Sequence, residues 1–273
     1  MTMGTVHIAI EAGIAHLTLD APPMNTLDRG MVARLGALLH DCERDDAVRA
    51  VLLHGAGDRA FSAGSDLAEL RGLIDQGRDA LAAKFAQDDA VFGALARFPK
   101  PTLAAIEGAA VGGGLELAVC CDLLVASRAA KLALPEIRLG VFPGSGGTVR
   151  VTRRIGPARA RRMMLLGDAI DAATAHDWGL VDALCDEGAA LQEAGKLAAR
   201  LAAGPALAQQ GCKAAIDAAL DLDEAGALAV ATDWAVTLGF SGDLAEGLRA
   251  FDAKRRPAFG ADRIRIPTLP RRP

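Results

Sequence analysis

Two glutamates stand beside glycine-rich segments and could transfer protons. Glu116 follows three consecutive glycines, residues 112–114, and Glu136 follows Pro135. If both side chains enter one apolar cleft, burial and mutual repulsion raise the pKa of at least one carboxyl towards neutrality. Such a carboxyl can give and take protons at physiological pH, so the pair indicates general acid–base chemistry. The alternative is that Glu116 is an ordinary first-turn acid that complements a helix dipole.

Backbone amides could supply the second part of a site. Residues 61–67 read FSAGSDL, and residues 108–117 read GAAVGGGLEL. Small residues let a ligand approach the backbone, so the amides of Ser65 and Gly113 could point into a cleft. A helix that begins in three glycines has poor intrinsic propensity, which indicates bare backbone whose N–H groups bind a developing oxyanion. The alternative for the first segment is a tight turn in which Asp66 caps the next helix.

Motifs and composition argue against several classes of function. Leu117 stands where a dinucleotide-binding fingerprint needs its third glycine, and a Gly-Lys-Ser or Gly-Lys-Thr phosphate loop is absent. A formal net charge of −4 provides no field that would attract nucleic acid or an anionic membrane. The 5 cysteines have neither the spacing of a zinc site nor the even number of a disulfide framework. We therefore expect a cytoplasmic protein that binds no metal, no nucleic acid and no membrane.

The elements that position these segments follow from the hydrophobic pattern. The chain has 273 residues, of which 51% are apolar, so it can bury a large core. Apolar residues at helical spacing occupy residues 31–42. Strand patterns occupy residues 6–10, 14–19, 50–54, 102–106 and 123–126. Strands that lead into a Gly-rich turn and then a helix predict an α/β fold whose sheet is covered by helices.

The last third of the chain has a different pattern. Ala-rich helices separated by Gly, Pro or Asp are predicted at residues 191–203, 206–220, 224–238 and 243–254. Such helices are marginal alone, so we expect them to pack on the core or on another subunit. The sequence thus predicts three parts, namely a core at residues 1–190, a helical oligomerisation subdomain at 191–260 and a basic, Pro-rich tail at 261–273.

Taken together, these segments resemble the crotonase (enoyl-CoA hydratase/isomerase) superfamily. The resemblance lies in residues 61–67 and 108–117, in PEI at 135–137, in PGSGGT at 143–148 and in EGLRAF at 246–251. It implies a crotonase-like spiral of repeated ββα units, followed by helices that associate subunits into a homotrimer or a hexamer built as a dimer of trimers. The implied ligand is an acyl-CoA thioester.

The resemblance also implies a role for each candidate residue. The amides of Ser65 and Gly113 would form an oxyanion hole for the thioester oxygen. Glu116 would hold and deprotonate a water molecule, and Glu136 would manage the proton at the α carbon. The implied reaction is reversible addition of water to 2-enoyl-CoA, giving 3-hydroxyacyl-CoA, with no metal or redox cofactor because coenzyme A is part of the substrate. The residues implied to border the substrate are Ala63, Asp66, Leu67, Ala68 and Gly144.

The sequence departs from the family pattern at two positions expected to contact the coenzyme's phosphates. Many hydratases of the family have a lysine before the asparagine of the first turn and another after the Asp-hydrophobic pair. Here these places fall in residues 22–24, before Asn25, and at Ala68. Arg71 or Lys254 of an adjacent subunit could substitute, and the alternative for both is a solvated surface role.

Other activities stay open at this stage. An enoyl-CoA isomerase needs one proton-shuttling carboxyl and usually lacks an acid at the place of Glu116. A hydrolase or decarboxylase would use the same oxyanion hole, and a non-enzymatic alternative binds acyl-CoA or RNA. An aromatic content of 4% leaves no stacking platform for bases. Acyl-chain length depends on a pocket wall that we expect at residues 72–92, where Gly77 marks either a hinge or a simple connection between helices.

Overall fold

The computed structural model describes residues 4–260 of the chain, in which strands and helices alternate as far as the last four helices. The strands are, in chain order, β1 (Thr5–Glu11), β2 (Ile14–Asp20), β3 (Ala50–Gly55), β4 (Ala60–Ser62), β5 (Thr102–Ile106), β6 (Ala109–Val111), β7 (Leu123–Ser127), β8 (Lys131–Ala133), β9 (Ile170–Asp171) and β10 (Ala183–Cys185). The helices are α1 (Arg29–Arg44), α2 (Leu67–Gln76), α3 (Arg78–Ala96), α4 (Gly113–Ala118), α5 (Gly147–Leu166), α6 (Ala172–Trp178), α7 (Ala190–Ala202), α8 (Ala206–Asp221), α9 (Glu224–Gly239) and α10 (Gly242–Asp252), with one 3₁₀ turn at Glu136–Leu139.

A large sheet with the order β1-β2-β3-β5-β7-β10 forms the centre of the fold. Strands β1 and β2 pair as an antiparallel hairpin, and the remaining neighbours are parallel. Along β3, Val51 and Leu53 belong to the main hydrophobic core beside α1, while Leu52 faces the other way and packs with Ala194 and Ala198 of α7. Both faces are therefore covered, as expected for parallel strands with continuous apolar runs. All five predicted strands lie in this sheet.

A small sheet with the order β4-β6-β8-β9 places the candidate site. Its first three strands are parallel neighbours, β4 beside β6 and β6 beside β8. Each ends just before a segment of interest: β4 before Ser65, β6 before Gly113 and β8 before Glu136. Because parallel neighbours end at the same edge of a sheet, three segments that are far apart in sequence meet there.

The four C-terminal helices confirm the predicted pattern, with ends that differ from it by one or two residues. Helix α7 covers one face of the large sheet through Ala190, Ala194 and Ala198. Helices α8 to α10 and the link between the last two carry large apolar side chains that are exposed in this single chain, namely Ile216, Leu220, Leu228, Val236, Phe240, Leu244, Leu248 and Phe251. The predicted tail at residues 261–273 lies outside the described residues.

Asn25 anchors the turn that supports the end of β4. Its backbone is left-handed, with φ of 52°. Its Nδ2 donates to the carbonyl oxygens of Ala56 at 3.0 Å and Ala60 at 2.8 Å, and its Oδ1 accepts from the N–H of Ala21 at 3.2 Å. The side chain is buried, so these bonds replace water that cannot reach it.

We expect Asn25→Ala to lower the free energy of unfolding by about 2 to 3 kcal/mol, measured by urea denaturation. The change leaves buried partners unsatisfied and places a Cβ without a compensating hydrogen bond in the left-handed region. Asn25→Gly is the matched variant, because it removes the same bonds and relaxes the backbone, so it should lose less. A loss below about 0.5 kcal/mol in the alanine variant, the ordinary range of surface changes, would contradict this role.

Candidate active site

Glu116 lies on α4 with its carboxyl almost fully buried, at 3% exposure. Its Oε1 accepts hydrogen bonds from the backbone N–H groups of Ser145 and Gly147, each at 2.8 Å. Burial raises the pKa of Glu116 to about 7; the two amide bonds oppose this rise, and the charges of Glu136 and Asp88 add to it. Near neutral pH this carboxyl is therefore divided between its acid and its carboxylate form.

The loop between the 3₁₀ turn and α5 is shaped around the Glu116 carboxyl. A Cβ added to Gly147 would lie 2.9 Å from Oε1 of Glu116, closer than real Cβ contacts. Glycine at this position therefore allows the backbone to approach the carboxyl closely enough for its N–H to donate. This loop contains residues 143–148, one of the segments that carry the family resemblance, and α5 begins within it at Gly147.

Glu136 is the first residue of the 3₁₀ turn that follows β8. Its Oε2 is buried and has no hydrogen-bond partner among residues 4–260. A Cβ added to Gly112 would lie 3.1 Å from its Oε1, so the carboxyl sits against the glycines that precede Glu116. Burial raises the pKa of Glu136. The structure thus brings both predicted carboxyls to one place, and one of their oxygens lacks a partner.

The amides of Ser65 and Gly113 lie side by side. A Cβ added to Gly113 would be 3.5 Å from the nitrogen of Ser65, and one added to Gly64 would be 2.9 Å from the nitrogen of Gly113. Within the described part of the chain, neither N–H donates to a backbone or side-chain acceptor. Helix α4 has six residues, so its dipole is short. The groups at this edge that could bind an anion are therefore the two free N–H groups.

A buried polar group that the sequence did not reveal lies beside the carboxyls and amides. Lys84 of α3 donates to Ser65 Oγ at 3.0 Å and contacts Asp88 Oδ2 at 2.5 Å. The hydroxyl of Ser145 donates to the same Asp88 oxygen at 2.8 Å. In sequence, Lys84 and Asp88 are an i,i+4 pair on a helix, a spacing typical of exposed ion pairs. Nothing in that local pattern marks them as buried.

The residues expected to border the substrate lie around this edge. Ala63 is half-buried, and Leu67 and Ala68 are exposed at the start of α2. Asp66 accepts from the N–H groups of Ala68 at 2.7 Å and Glu69 at 2.9 Å, which confirms the capping alternative for its side chain.

Gly144 is exposed, and a Cβ there would lie 3.1 Å from the ring of Phe85. Arg71 and Lys254, the suggested phosphate contacts, are exposed too. Contact of any of these residues with a substrate stays a prediction. Residues 72–92 form the end of α2 and most of α3, joined at Gly77, which is the simple helix connection of the two alternatives.

Two negative findings concern residues 4–260. In that range, no group of three or more His, Cys, Asp or Glu side chains is arranged to hold a metal ion. None of the helices in the same range is both long enough and apolar enough to cross a membrane.

Comparisons with known proteins show the family and the fold of this chain. The sequence model described as "Enoyl-CoA hydratase/isomerase" matches residues 9–262. The chain is 36% identical over 258 residues to a probable enoyl-CoA hydratase of Bacillus subtilis (strain 168), covering 94% of this chain and 99% of that protein. It is 35% identical to a 1,2-epoxyphenylacetyl-CoA isomerase of Escherichia coli (strain K12), over 92% of this chain and 96% of that one. The crystal structure of an enoyl-CoA hydratase from Polaromonas sp. JS666 superposes with a TM-score of 0.91 at 30% identity, covering 94% of this chain and 100% of that one.

Fold and site together define an acyl-CoA-transforming enzyme with the crotonase fold. More narrowly, the chain belongs to the enoyl-CoA hydratase/isomerase family.

Proposed function

We propose that this protein is an enoyl-CoA hydratase, which adds water reversibly to 2-enoyl-CoA and gives 3-hydroxyacyl-CoA. The observation that carries the proposal is the pair of buried carboxyls with raised pKa values, Glu116 and Glu136. They lie beside two backbone N–H groups that have no acceptor among the described residues. Hydration needs one group to activate water and a second to supply a proton, whereas moving a double bond needs one shuttling group. The name of the Bacillus subtilis relative supports the same reaction.

In the proposed reaction, Glu116 accepts a proton from water while the water oxygen bonds to C3 of the enoyl group. The electrons of the C2=C3 double bond move towards the carbonyl, whose oxygen becomes negative. The N–H groups of Ser65 and Gly113 hold that oxygen and stabilise the enolate-like transition state more than the ground state. Glu136 then gives its proton to C2. No metal or redox cofactor is needed, because the thioester acidifies C2 once its oxygen is held.

The working pair carries one proton, because one carboxyl accepts a proton while the other donates. Burial raises the pKa values of both carboxyls, so the shared proton has two possible places, and in one form of the pair it lies on Glu116. This is the form that starts dehydration, in which Glu136 removes the C2 proton and Glu116 protonates the leaving hydroxyl. Hydration starts from the other form, with the proton on Glu136. Apparent pKa values of such a pair belong to both groups together.

The second candidate function is an enoyl-CoA isomerase, which the description of the matching family includes beside the hydratase. In that reaction one carboxyl would carry a proton between two carbons of the acyl chain. The product would have the same mass as the substrate, so the two functions can be separated directly.

Further features of the proposal concern partners and compartment. The exposed apolar side chains of α8 to α10 fit contact with other subunits, so we include a homotrimer or hexamer. Arg71 and Lys254 are the candidate cations for the coenzyme's phosphates. All 5 cysteines are free, which suits a reducing compartment such as the cytoplasm.

The test is turnover of 2-enoyl-CoA thioesters of increasing chain length, from crotonyl-CoA upwards. We expect loss of the conjugated enoyl absorbance and a product heavier by one water molecule. A product of unchanged mass would contradict hydration and support the isomerase as the function. Binding of every thioester without any turnover, in either direction, would contradict both and favour a binding protein.

A further inference from the structure

A buried ion pair joins the two halves of the site. Lys84 and Asp88 stand one turn apart on α3, with side chains that are 6% and 5% exposed. Burying two charges is costly, and apolar residues of similar volume often stabilise a fold as well or better. A contribution to stability therefore does not explain why the pair is buried. The residues that the pair contacts belong to the candidate active site.

The positive end of the pair lies at the two free amides. The ammonium of Lys84 donates to the hydroxyl of Ser65 at 3.0 Å. That hydroxyl belongs to one of the two residues that supply the amides, and it lies 3.6 Å from the position that a Cβ of the other, Gly113, would take. One hydroxyl thus separates a buried cation from the place where the thioester oxygen would be held.

The negative end of the pair lies towards Glu116. Asp88 accepts from the hydroxyl of Ser145 at 2.8 Å, and the N–H of the same Ser145 donates to the Glu116 carboxyl at 2.8 Å. The charge of Asp88 also disfavours ionisation of Glu116. One residue therefore separates a buried anion from the group that takes up a proton from water.

We propose that Lys84 and Asp88 are positioning residues that hold a fixed dipole along the path of charge in the reaction. This rests on the proposed hydration, in which negative charge leaves Glu116 and arrives on the thioester oxygen. Asp88 disfavours the negative charge on Glu116, and Lys84 favours the negative charge on the thioester oxygen. A dipole fixed by burial needs no reorganisation during the reaction, so it lowers the barrier. In dehydration the same dipole stabilises the same enolate-like state.

Other groups around Glu116 do not change in the test below. Glu136 faces it from the 3₁₀ turn, and in the turn that follows α4 the thiol of Cys120 has its pKa raised by burial to about 12, so it is neutral. From α5, Arg150 donates to the carbonyl oxygen of Ser145 at 3.2 Å.

The first readout is the absorbance of cinnamoyl-CoA bound to the enzyme, in a Glu116→Gln background that suppresses turnover. A conjugated thioester absorbs at longer wavelength when its carbonyl oxygen is polarised. We expect Lys84→Met to reduce this red shift, because the nearby cation is gone. Asp88→Asn should keep or increase the shift, because Lys84 loses its counter-ion. The matched control is Asp89→Asn, an exposed neighbour on the same helix, which should leave the shift unchanged.

The second readout is kinetic and uses enzyme with Glu116 intact. We expect Lys84→Met to lower kcat for crotonyl-CoA about tenfold, with a smaller change in KM, which is less than the loss of a direct oxyanion donor. Asp88→Asn removes a charge that raises the pKa of Glu116, so the upper limb of its kcat/KM profile should move to lower pH. Asp89→Asn should match the unmodified enzyme in both respects.

A purely structural role gives a different result. Two results would overturn the proposed dipole. In the first, both substitutions reduce the red shift by the same amount. In the second, Asp88→Asn lowers kcat without moving the upper limb of the pH profile of kcat/KM. Where a single variant does not fold, Lys84→Met with Asp88→Leu replaces the pair by apolar residues. Folding of this double variant with wild-type kcat would also overturn the proposal, and a loss of about tenfold would support it. Should the enzyme hydrate nothing, the proposed function fails, yet the red shift still tests the dipole on the bound thioester.

Discussion

We expect Glu116→Gln to lower kcat for hydration of crotonyl-CoA by about a thousandfold, within the range that general acid–base groups contribute. Glutamine has the shape of glutamate, and its amide oxygen can still accept from the N–H groups of Ser145 and Gly147. The loop and the fold should therefore stay in place. What disappears is the ability to take a proton from water, so the loss should appear in kcat more than in KM.

The same variant should change the pH dependence. With one proton on the carboxyl pair, we expect kcat/KM of the unmodified enzyme to have a bell-shaped pH profile, with its upper limb near 7, the value to which burial raises the pKa of Glu116. Above that pH the pair loses its last proton and no longer has both a donor and an acceptor. Below the lower limb, both carboxyls are protonated and none accepts. Glu116→Gln removes the limb at about 7, because glutamine does not titrate.

Two companion variants separate chemistry from general damage. Glu136→Gln should also abolish most turnover, because its buried and unpartnered Oε2 is the proposed proton source for C2. Glu187→Gln changes an exposed glutamate and should leave kcat and the pH profile as they are. Each is followed by loss of enoyl absorbance. Unchanged hydration in both Glu116→Gln and Glu136→Gln would end the hydratase assignment.

Hydrophobic periodicity was sufficient to predict five of the six strands of the large sheet, all except β10, and the C-terminal helices. Strands such as 50–54 and 102–106 are continuous apolar runs buried on both faces, and the helices at 206–220 and 224–238 are bounded by proline, glycine or aspartate. In both cases the signal is local and long enough to be read. Strands β6 and β8 have three residues each, which is too short for any pattern to show.

The convergence of the site could not be derived from local patterns. Ser65, Gly113 and Glu136 meet because β4, β6 and β8 are neighbours in the small sheet, and strand order is a property of the whole fold. Resemblance to a family implied that these residues share one site, without giving the strand order. Contacts bear on two local alternatives: Asp66 caps α2, and Glu116 lies in the first turn of α4 but has its buried carboxyl bonded to a distant loop.

Burial of the Lys84–Asp88 pair could not be predicted from the sequence. A lysine and an aspartate four residues apart on a helix stabilise it slightly when exposed, and that is their usual place. Here α3 lies against the loop at residues 143–147, so the same pair is buried between Ser65 and Ser145. The sequence contains the spacing, but tertiary packing decides whether the charges meet water or the site.

Gly64 controls the distance between the two amides, and we expect Gly64→Ala to lower kcat/KM about a hundredfold or more. Its φ is +88°, and a Cβ there would lie 2.8 Å from the carbonyl oxygen of Val111 and 2.9 Å from the nitrogen of Gly113. Both contacts are to backbone, which cannot rotate away as a flexible side chain could. The segments that follow β4 and β6, which carry Ser65 and Gly113, would have to separate, and loss of one oxyanion donor costs about that much.

Gly57→Ala is the matched control for backbone strain. Gly57 also has a positive φ, +72°, but a Cβ there would meet nothing within 4 Å. Both variants should lose stability on the order of 1 to 3 kcal/mol, because alanine is strained in this region of φ. If the oxyanion amides are where the geometry places them, turnover of crotonyl-CoA falls in Gly64→Ala and stays near wild type in Gly57→Ala. Equal activity in the two variants, measured on folded protein, would mean that the spacing of Ser65 and Gly113 is not what holds the thioester oxygen.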